Sequence, residues 1–156
     1  MAILGLSNRQ QLIIFVIVGT LAIFTVWGMV DFAVNGYKDN YLPEDNLNHY
    51  WNWMWIIGVP VTGVVLAGSY LAGAPDTDGN ILHAGGILAT VVLLMVGQLE
   101  DFFYFVLNGI PFPTDDWWWM PTYDLLGTWT TEMHFINLAI FVTIVCVMWA
   151  IIFNYD

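Results

Sequence analysis

Apolar residues occupy four long stretches of the chain, separated by shorter polar segments. The stretches cover about residues 11–34, 53–72, 81–107 and 133–153. Each is long enough to provide the about 20 residues that an α-helix needs to cross the hydrocarbon layer of a membrane. The pattern therefore predicts an all-α protein, with residues 1–156 forming one integral membrane domain built as a four-helix transmembrane bundle.

Helix-ending residues follow the first and third stretches. Asn35-Gly36 and Asn108-Gly109 suit the left-handed backbone conformation that commonly ends a helix. Pro111 and Pro113 then prevent the third helix from continuing, because proline lacks a backbone N–H. We therefore expect the first and third helices to end where the apolar pattern stops.

A short polar segment, residues 74–80, separates the second and third stretches and predicts a tight antiparallel helical hairpin. Gly63 and Ala67, four residues apart, are typical of helices that pack closely in membranes. Pro60 is expected to bend the second helix, because it cannot donate the backbone hydrogen bond of a helix interior.

Four spans put both termini and the 74–80 turn on one side of the membrane. We call the other side, with residues 35–52 and 108–132, the loop face. Arg9 lies on the terminal side and Lys38 on the loop face, so the positive-inside rule is nearly balanced. We expect a multi-pass protein of the cell membrane with cytoplasmic termini, because the loop face carries longer, acidic and aromatic segments.

Composition excludes several classes of protein. Charged residues make up 10% of the chain and hydrophobic residues 59%, whereas charged residues make up about 25% of an ordinary soluble domain. The net charge of −11 comes from 13 acidic and 2 basic residues, which argues against binding to nucleic acid or to anionic head groups through basic clusters. The single cysteine, Cys146, excludes an intramolecular disulfide and is interpreted as a small packing residue.

Tryptophan is concentrated in the loop-face segments and at the start of the second helix. These residues are Trp51, Trp53, Trp55, Trp117, Trp118, Trp119 and Trp129. An aromatic belt in the head-group zone explains them most simply. A wall for an apolar substrate and a docking surface for a neighbouring subunit are the alternatives.

Two adjacent carboxylates, Glu100 and Asp101, lie inside the third stretch, roughly 10 Å before its end. A carboxylate near the bilayer centre costs about 2.5–3.5 kcal/mol on insertion scales, so the pair requires a partner, a proton or a metal. At helical spacing Gly97, Tyr104 and Asn108 share their face, which predicts a polar seam towards the bundle. The alternative is a protonated carboxyl group bonded to Tyr104 or to a helix backbone.

Antiparallel helices would bring further polar residues to the same end of the bundle. The candidate metal ligands are Glu100, Asp101, His134, Asp31 and His49. Carboxylate and imidazole groups together form the ligand set of Zn, Fe, Mn or Cu sites. Each histidine and Asp31 also has a simpler explanation: His134 caps or lines its helix, His49 is solvated, and Asp31 ends its helix in water. His83 is expected at the opposite, terminal side, as an interfacial residue.

Residues 99–108 read Leu-Glu-Asp-Phe-Phe-Tyr-Phe-Val-Leu-Asn, and a tryptophan-rich segment with Pro121 follows them. This pattern resembles uncharacterised small polytopic membrane proteins with a Glu-Asp-Phe-Leu-Trp-Phe-Val-Leu-Asn-Pro-like segment, followed by a Trp-rich loop before the last helix. The resemblance extends from Gln98 to about Tyr123. Gly109 stands where that family has proline, and the loop histidines of the family pattern are missing here.

These observations lead to two functional hypotheses. The first is a polar, metal-binding carboxylate and histidine site at the loop face; if catalytic, its metal would activate water or oxygen. The second is a non-catalytic subunit of a larger membrane complex. The expected partners are the lipid bilayer and other membrane subunits or further copies of the chain, and no nucleic acid. A proton or cation pathway is a third possibility, less favoured because the other half of the bundle shows no matching relay.

Overall fold

The computed structural model describes residues 5–36, 53–74, 79–114 and 128–155. Within these ranges the secondary structure is helical and contains no strand, which confirms the all-α class there. The helices are α1 (Asn8–Asp31), α2 (Met54–Gly73), α3 (Asn80–Val96), α4 (Leu99–Leu107) and α5 (Thr131–Tyr155). A π-helical turn, Phe32–Gly36, extends α1.

Three of these helices, α1 with its extension, α2 and α5, are long and apolar enough to cross a membrane. The helices α3 and α4 meet the same criterion only together, as a pair bent by 66°. The described part of the chain therefore holds three candidate spans, or four if the bent pair forms one span. The predicted limits of the first, second and fourth stretches agree with the helices to within a few residues.

The prediction of one continuous third helix over residues 81–107 is wrong. Gly97 and Gln98 form a turn between α3 and α4, and Gln98 adopts a left-handed conformation with φ of 64°. The backbone N–H of Gly97 donates to Leu93 (2.8 Å) and that of Gln98 donates to Met95 (2.8 Å), which closes the last turn of α3. Because a left-handed residue cannot continue a right-handed helix, α4 starts afresh in a new direction.

Local sequence explains two of the helix starts. Ser7 and Gln10 form a reciprocal capping box at α1, with the Ser7 N–H 2.9 Å from Gln10 Oε1. In α2, the π-helical turn Met54–Gly58 directly precedes Pro60. A wider turn relieves the clash between a proline ring and the carbonyl four residues earlier, so Pro60 explains this π-helical turn, and the predicted bend of α2 stays a prediction.

Helix α2 packs against α1 and α3, and α5 packs against α3. Trp27 in α1 donates its indole N–H to Thr62 of α2 (3.4 Å). The α2–α3 hairpin is confirmed: a Cβ atom on Gly63 would lie 3.2 Å from Val91 Cβ, so the absence of a side chain permits the approach. Helix α5 packs on α3, where the Trp149 indole donates to Thr90 (2.8 Å). Gly63 and Ala67 are buried as predicted.

The outer surfaces of these helices are apolar. On α5 the buried residues are His134, Trp149 and Ile152, and large apolar side chains cover its remaining faces. Cys146 also lies on an exposed face of α5, so it does not pack in the interior of this chain. Surfaces of this kind are expected to meet lipid or other helices.

The closest backbone approach that positions the candidate site joins α1 to α4. A Cβ atom on Gly28 would lie 2.9 Å from the backbone nitrogen of Tyr104 and 3.1 Å from the carbonyl carbon of Phe103. Those atoms belong to a helix backbone and cannot move as a flexible side chain can. Glycine at position 28 is therefore required for the observed α1–α4 packing.

We predict that Gly28→Ala destabilises the protein by about 1–3 kcal/mol, because overpacking forces α1 and α4 apart. Thermal unfolding in detergent, followed by circular dichroism, measures the change. Gly68→Ala is the matched control, since a Cβ atom placed on Gly68 would have nothing within 4 Å. Equal unfolding midpoints for the two variants would contradict the proposed close packing.

Candidate functional site

The break between α3 and α4 changes the surroundings of the two predicted carboxylates. Glu100 and Asp101 lie in the first turn of α4, rather than in the interior of a long helix. The N-terminus of a helix carries unpaired backbone N–H groups and a positive partial charge, which favour nearby carboxylates. Part of the cost of burying the two acids is therefore offset by α4 itself.

Asp31 joins these residues from α1. The last turn of α1 lies against α4 near Gly28, and the rings of Phe32 and Tyr104 are 5.9 Å apart. In their ionised forms Asp31, Glu100 and Asp101 would be close enough to repel one another. We call these three residues the acidic cluster. Two different helices contribute to it, Asp31 from the end of α1 and Glu100 and Asp101 from the start of α4.

Glu100 is the least satisfied member of the acidic cluster. Its side chain is 3% exposed, and its Oε1 atom has no hydrogen-bond partner among the described residues. Asp101 is only partly buried. The sequence left open which of the two faces the interior, and the structure assigns that position to Glu100. A buried, unpaired carboxylate oxygen is costly unless a counter-charge or proton reaches it.

Asp31 is 7% exposed, so its helix does not end in water. No lysine or arginine balances the acidic cluster within the described residues. The only such residue there, Arg9, lies over the ring of Phe153 at 4.3 Å, near the opposite ends of the helices. The repulsion within the acidic cluster is therefore not relieved by a described lysine or arginine side chain.

His134 is fully buried in the first part of α5. Its Nδ1 atom lies 3.1 Å from Oε1 of Gln98, and the rings of Phe112 and Phe135 lie 6.3 Å and 5.7 Å away. The Gln98 side chain is itself 4% exposed, so the break and the start of α5 are joined by a buried polar contact. This contact ties α5 to the turn that directs α4.

Across the described ranges, no three His, Cys, Asp or Glu side chains are grouped so that they can hold a metal ion. His134 is directed towards the Gln98 amide, and His49 lies outside the described residues. The five-residue ligand set predicted from the sequence is therefore not assembled among the described residues, although Asp31, Glu100 and Asp101 lie near one another. An arrangement of carboxylates without imidazole suits protons and hard cations better than Zn or Cu.

The predicted tryptophan belt and the predicted polar seam differ from the structure at several residues. Trp129 is 5% exposed and packs near Phe105, so this residue does not belong to a surface belt. Trp53 is 64% exposed, whereas Trp51 and residues 117–119 lie outside the described residues. Asn108 donates to the Tyr104 carbonyl (2.7 Å) and thereby caps α4 instead of extending the polar seam.

Sequence reasoning missed Gln98. The available signal was the length of the third stretch, since residues 81–107 exceed the about 20 residues of one span. Gly97 and Gln98 are the non-apolar residues that interrupt this stretch just before the carboxylates. In an apolar segment longer than one span, a helix break costs the least free energy at a polar residue that follows glycine.

No protein-family model, curated protein or solved structure matches the chain. The resemblance of residues 99–108 to small polytopic membrane proteins stays a prediction. The function is therefore inferred from the residues and their geometry.

The contact between Gln98 and His134 generates a quantitative prediction. In a double-mutant cycle of Gln98→Ala and His134→Ala, we expect a coupling free energy of about 0.5–1.5 kcal/mol, typical of one buried hydrogen bond. Unfolding midpoints in detergent measure each corner of the cycle. His83→Ala, far along α3, combined with Gln98→Ala serves as the control pair and should be additive within about 0.5 kcal/mol. Additivity of the Gln98 and His134 variants would contradict a direct interaction.

Proposed function

We propose that the protein is an integral membrane protein with four spans that binds a cation within the membrane, at the acidic cluster of Asp31, Glu100 and Asp101. In this proposal α3 and α4 form one broken span, and both termini lie on one side, expected to be cytoplasmic. The observation that carries the proposal is the buried Glu100 carboxylate, with an oxygen that has no described hydrogen-bond partner.

Membrane physics supports this interpretation. Ionisable residues inside spanning helices are costly and usually mark ion or proton sites. Broken spanning helices commonly form such sites, because the interruption places helix ends and free backbone groups near the midplane. Here the break precedes Glu100 by two residues, and Asp31 approaches from α1. A bound cation would relieve the repulsion among the three carboxylates.

The ligand chemistry narrows the class of cation. Carboxylate oxygens suit hard divalent cations such as Mg²⁺, Ca²⁺ or Mn²⁺, which also keep water ligands. The described carboxylates do not form a closed metal cage. A bound cation would therefore draw them closer or share them with water molecules. Neutralisation by protons alone is the competing outcome of the test below.

A second candidate function, a subunit of a larger assembly, is supported by one face of α5. The small residues Ala139, Thr143, Cys146 and Ala150 are exposed and follow one another at helical spacing. Thr143 donates to the Ala139 carbonyl within the helix (2.8 Å), which leaves a smooth surface. Small-residue faces let helices pack closely in membranes. A second copy of the chain or another membrane subunit would fit this surface.

We expect the purified protein to bind about one divalent cation per chain, and each of Asp31→Asn, Glu100→Gln and Asp101→Asn to weaken binding about tenfold or more. Equilibrium dialysis with Mg²⁺, Ca²⁺ and Mn²⁺ in lipid nanodiscs measures the affinity. Glu132→Gln is the matched control, because Glu132 is an exposed carboxylate near the start of α5.

The dependence of stability on cation concentration distinguishes a bound cation from protonated carboxyl groups. If a cation occupies the acidic cluster, the free energy of unfolding of the wild type rises with cation concentration, by about 2.7 kcal/mol at 100 times the dissociation constant. Glu100→Gln should lose this dependence while remaining folded. If the stability of the wild type does not change with any of the three cations, cation binding is excluded. Protonation of the carboxyl groups is then the remaining explanation for their burial.

Cys146 provides a natural test of the assembly hypothesis. We expect a bifunctional maleimide added to native membranes to link the chain through Cys146, since this thiol is exposed. A product at twice the chain mass of 17.7 kDa indicates a second copy, and another mass indicates a different subunit. Cys146→Ser should abolish the product. Absence of a product at twice the chain mass would contradict a second copy of the chain packed at this face.

A further inference from the structure

A large groove lies at the opposite end of the helices from the acidic cluster. Its volume is about 1080 Å³, and α1, α2, α3 and α5 all contribute to its walls. The residues at its mouth include Asn8, Arg9, Gly73, Asn80 and Phe153, which lie at the terminal-side ends of their helices. This volume is at the upper limit of ordinary small-molecule pockets, so the groove suits a large ligand.

The groove changes from polar to apolar along α1. Asn8 and Arg9 stand at one end, and Leu12, Phe15 and Val18 continue the wall towards Gly19. From Asn8 to Gly19 the helix rises by ~16 Å. This length is close to half of the ~30 Å hydrocarbon layer of a membrane. The groove therefore has the polarity and the length of one phospholipid in one leaflet, with its head at the mouth and its acyl chain below.

Arg9 places one positive charge at the mouth of the groove. Within the described residues Arg9 is the only lysine or arginine, and its guanidinium lies 4.3 Å from the centre of the Phe153 ring. This cation–π contact holds the charge beside the groove without neutralising it. On the facing wall the Tyr70 hydroxyl lies 3.0 Å from His83 Nδ1 and 3.3 Å from Asn80 Oδ1, which extends the polar surface of the mouth.

We propose that this groove binds one phospholipid, with its phosphate at Arg9 and one acyl chain along Leu12, Phe15 and Val18. Arginine matches phosphate because its planar guanidinium presents several donors in a fixed geometry. The net charge of −11 argues against attraction of anionic lipids over the whole surface. It does not oppose a single site in which one arginine is positioned by an aromatic ring.

Native mass spectrometry of the full chain in detergent tests this proposal. The probes are dioleoylphosphatidylglycerol and dioleoylglycerol, which share their acyl chains and differ in the phosphate head group. We expect the wild type to retain about one phosphatidylglycerol and to bind dioleoylglycerol at least about tenfold more weakly. Arg9→Gln should lower the affinity for phosphatidylglycerol to the level of dioleoylglycerol.

A second variant tests the groove itself. Gly73 lines the mouth and has nothing within 4 Å of a Cβ position, so the side chain of Gly73→Leu would enter open space in the groove. This variant should lose phosphatidylglycerol binding about tenfold or more. Gly68→Leu is the matched control on α2, because Gly68 is equally open but does not line the groove.

Several outcomes would overturn the proposal. Equal retention of the two lipids by the wild type would exclude a phosphate site, and unchanged binding by Arg9→Gln would exclude Arg9. Equal loss of phosphatidylglycerol binding in Gly73→Leu and Gly68→Leu would show that a larger side chain anywhere on α2 lowers binding, which would contradict a site in the groove. Arg9 is exposed, so Arg9→Gln leaves the apolar walls intact and tests the head-group contact even if Gly73→Leu alters the fold.

Discussion

The interaction on which the candidate site depends is that between the buried carboxylates and the N-terminus of α4. Without the break at Gly97 and Gln98, Glu100 and Asp101 would occupy a helix interior with no free backbone N–H groups nearby. The left-handed Gln98 ends α3 and creates a helix N-terminus beside the acids. The resulting partial positive charge makes their burial less costly. It does not provide the full counter-charge that three neighbouring carboxylates require.

The packing around this break keeps the site in place. Gly28 allows α1 to approach the backbone of α4 closely, which brings Asp31 towards Glu100. On the other side, His134 contacts the Gln98 amide and connects α5 to the turn. Three helices therefore determine the position of a short fourth one. A change in the direction of α4 would alter the distance between Asp31 and Glu100, so occupancy of the acidic cluster and the geometry of the break are expected to be coupled.

The two ends of the molecule differ in their chemistry. Near the break three carboxyl groups lie close to the contact between Gln98 and His134, and at the other end Arg9 lies beside an amphipathic groove. A cation at one end and a phosphate at the other would each match the local charge. Both ligands are available to a protein surrounded by membrane, and neither proposal depends on the other.

The sequence by itself determined the helical class, the limits of three apolar helices and the presence of two acids in an apolar stretch. Long apolar runs and helix-ending residues such as Gly109 act locally, so they are visible in the order of residues. Only the tertiary structure decided that the third stretch breaks at Gln98, that Glu100 faces the interior and that His134 contacts an amide rather than joining the carboxylates. These outcomes depend on three packing contacts, namely those of Gly28 with Tyr104, Gly97 with Phe141 and Gln98 with His134. Each is a contact between residues distant in sequence, and helical periodicity describes the face on which a residue lies but not the helix that covers that face.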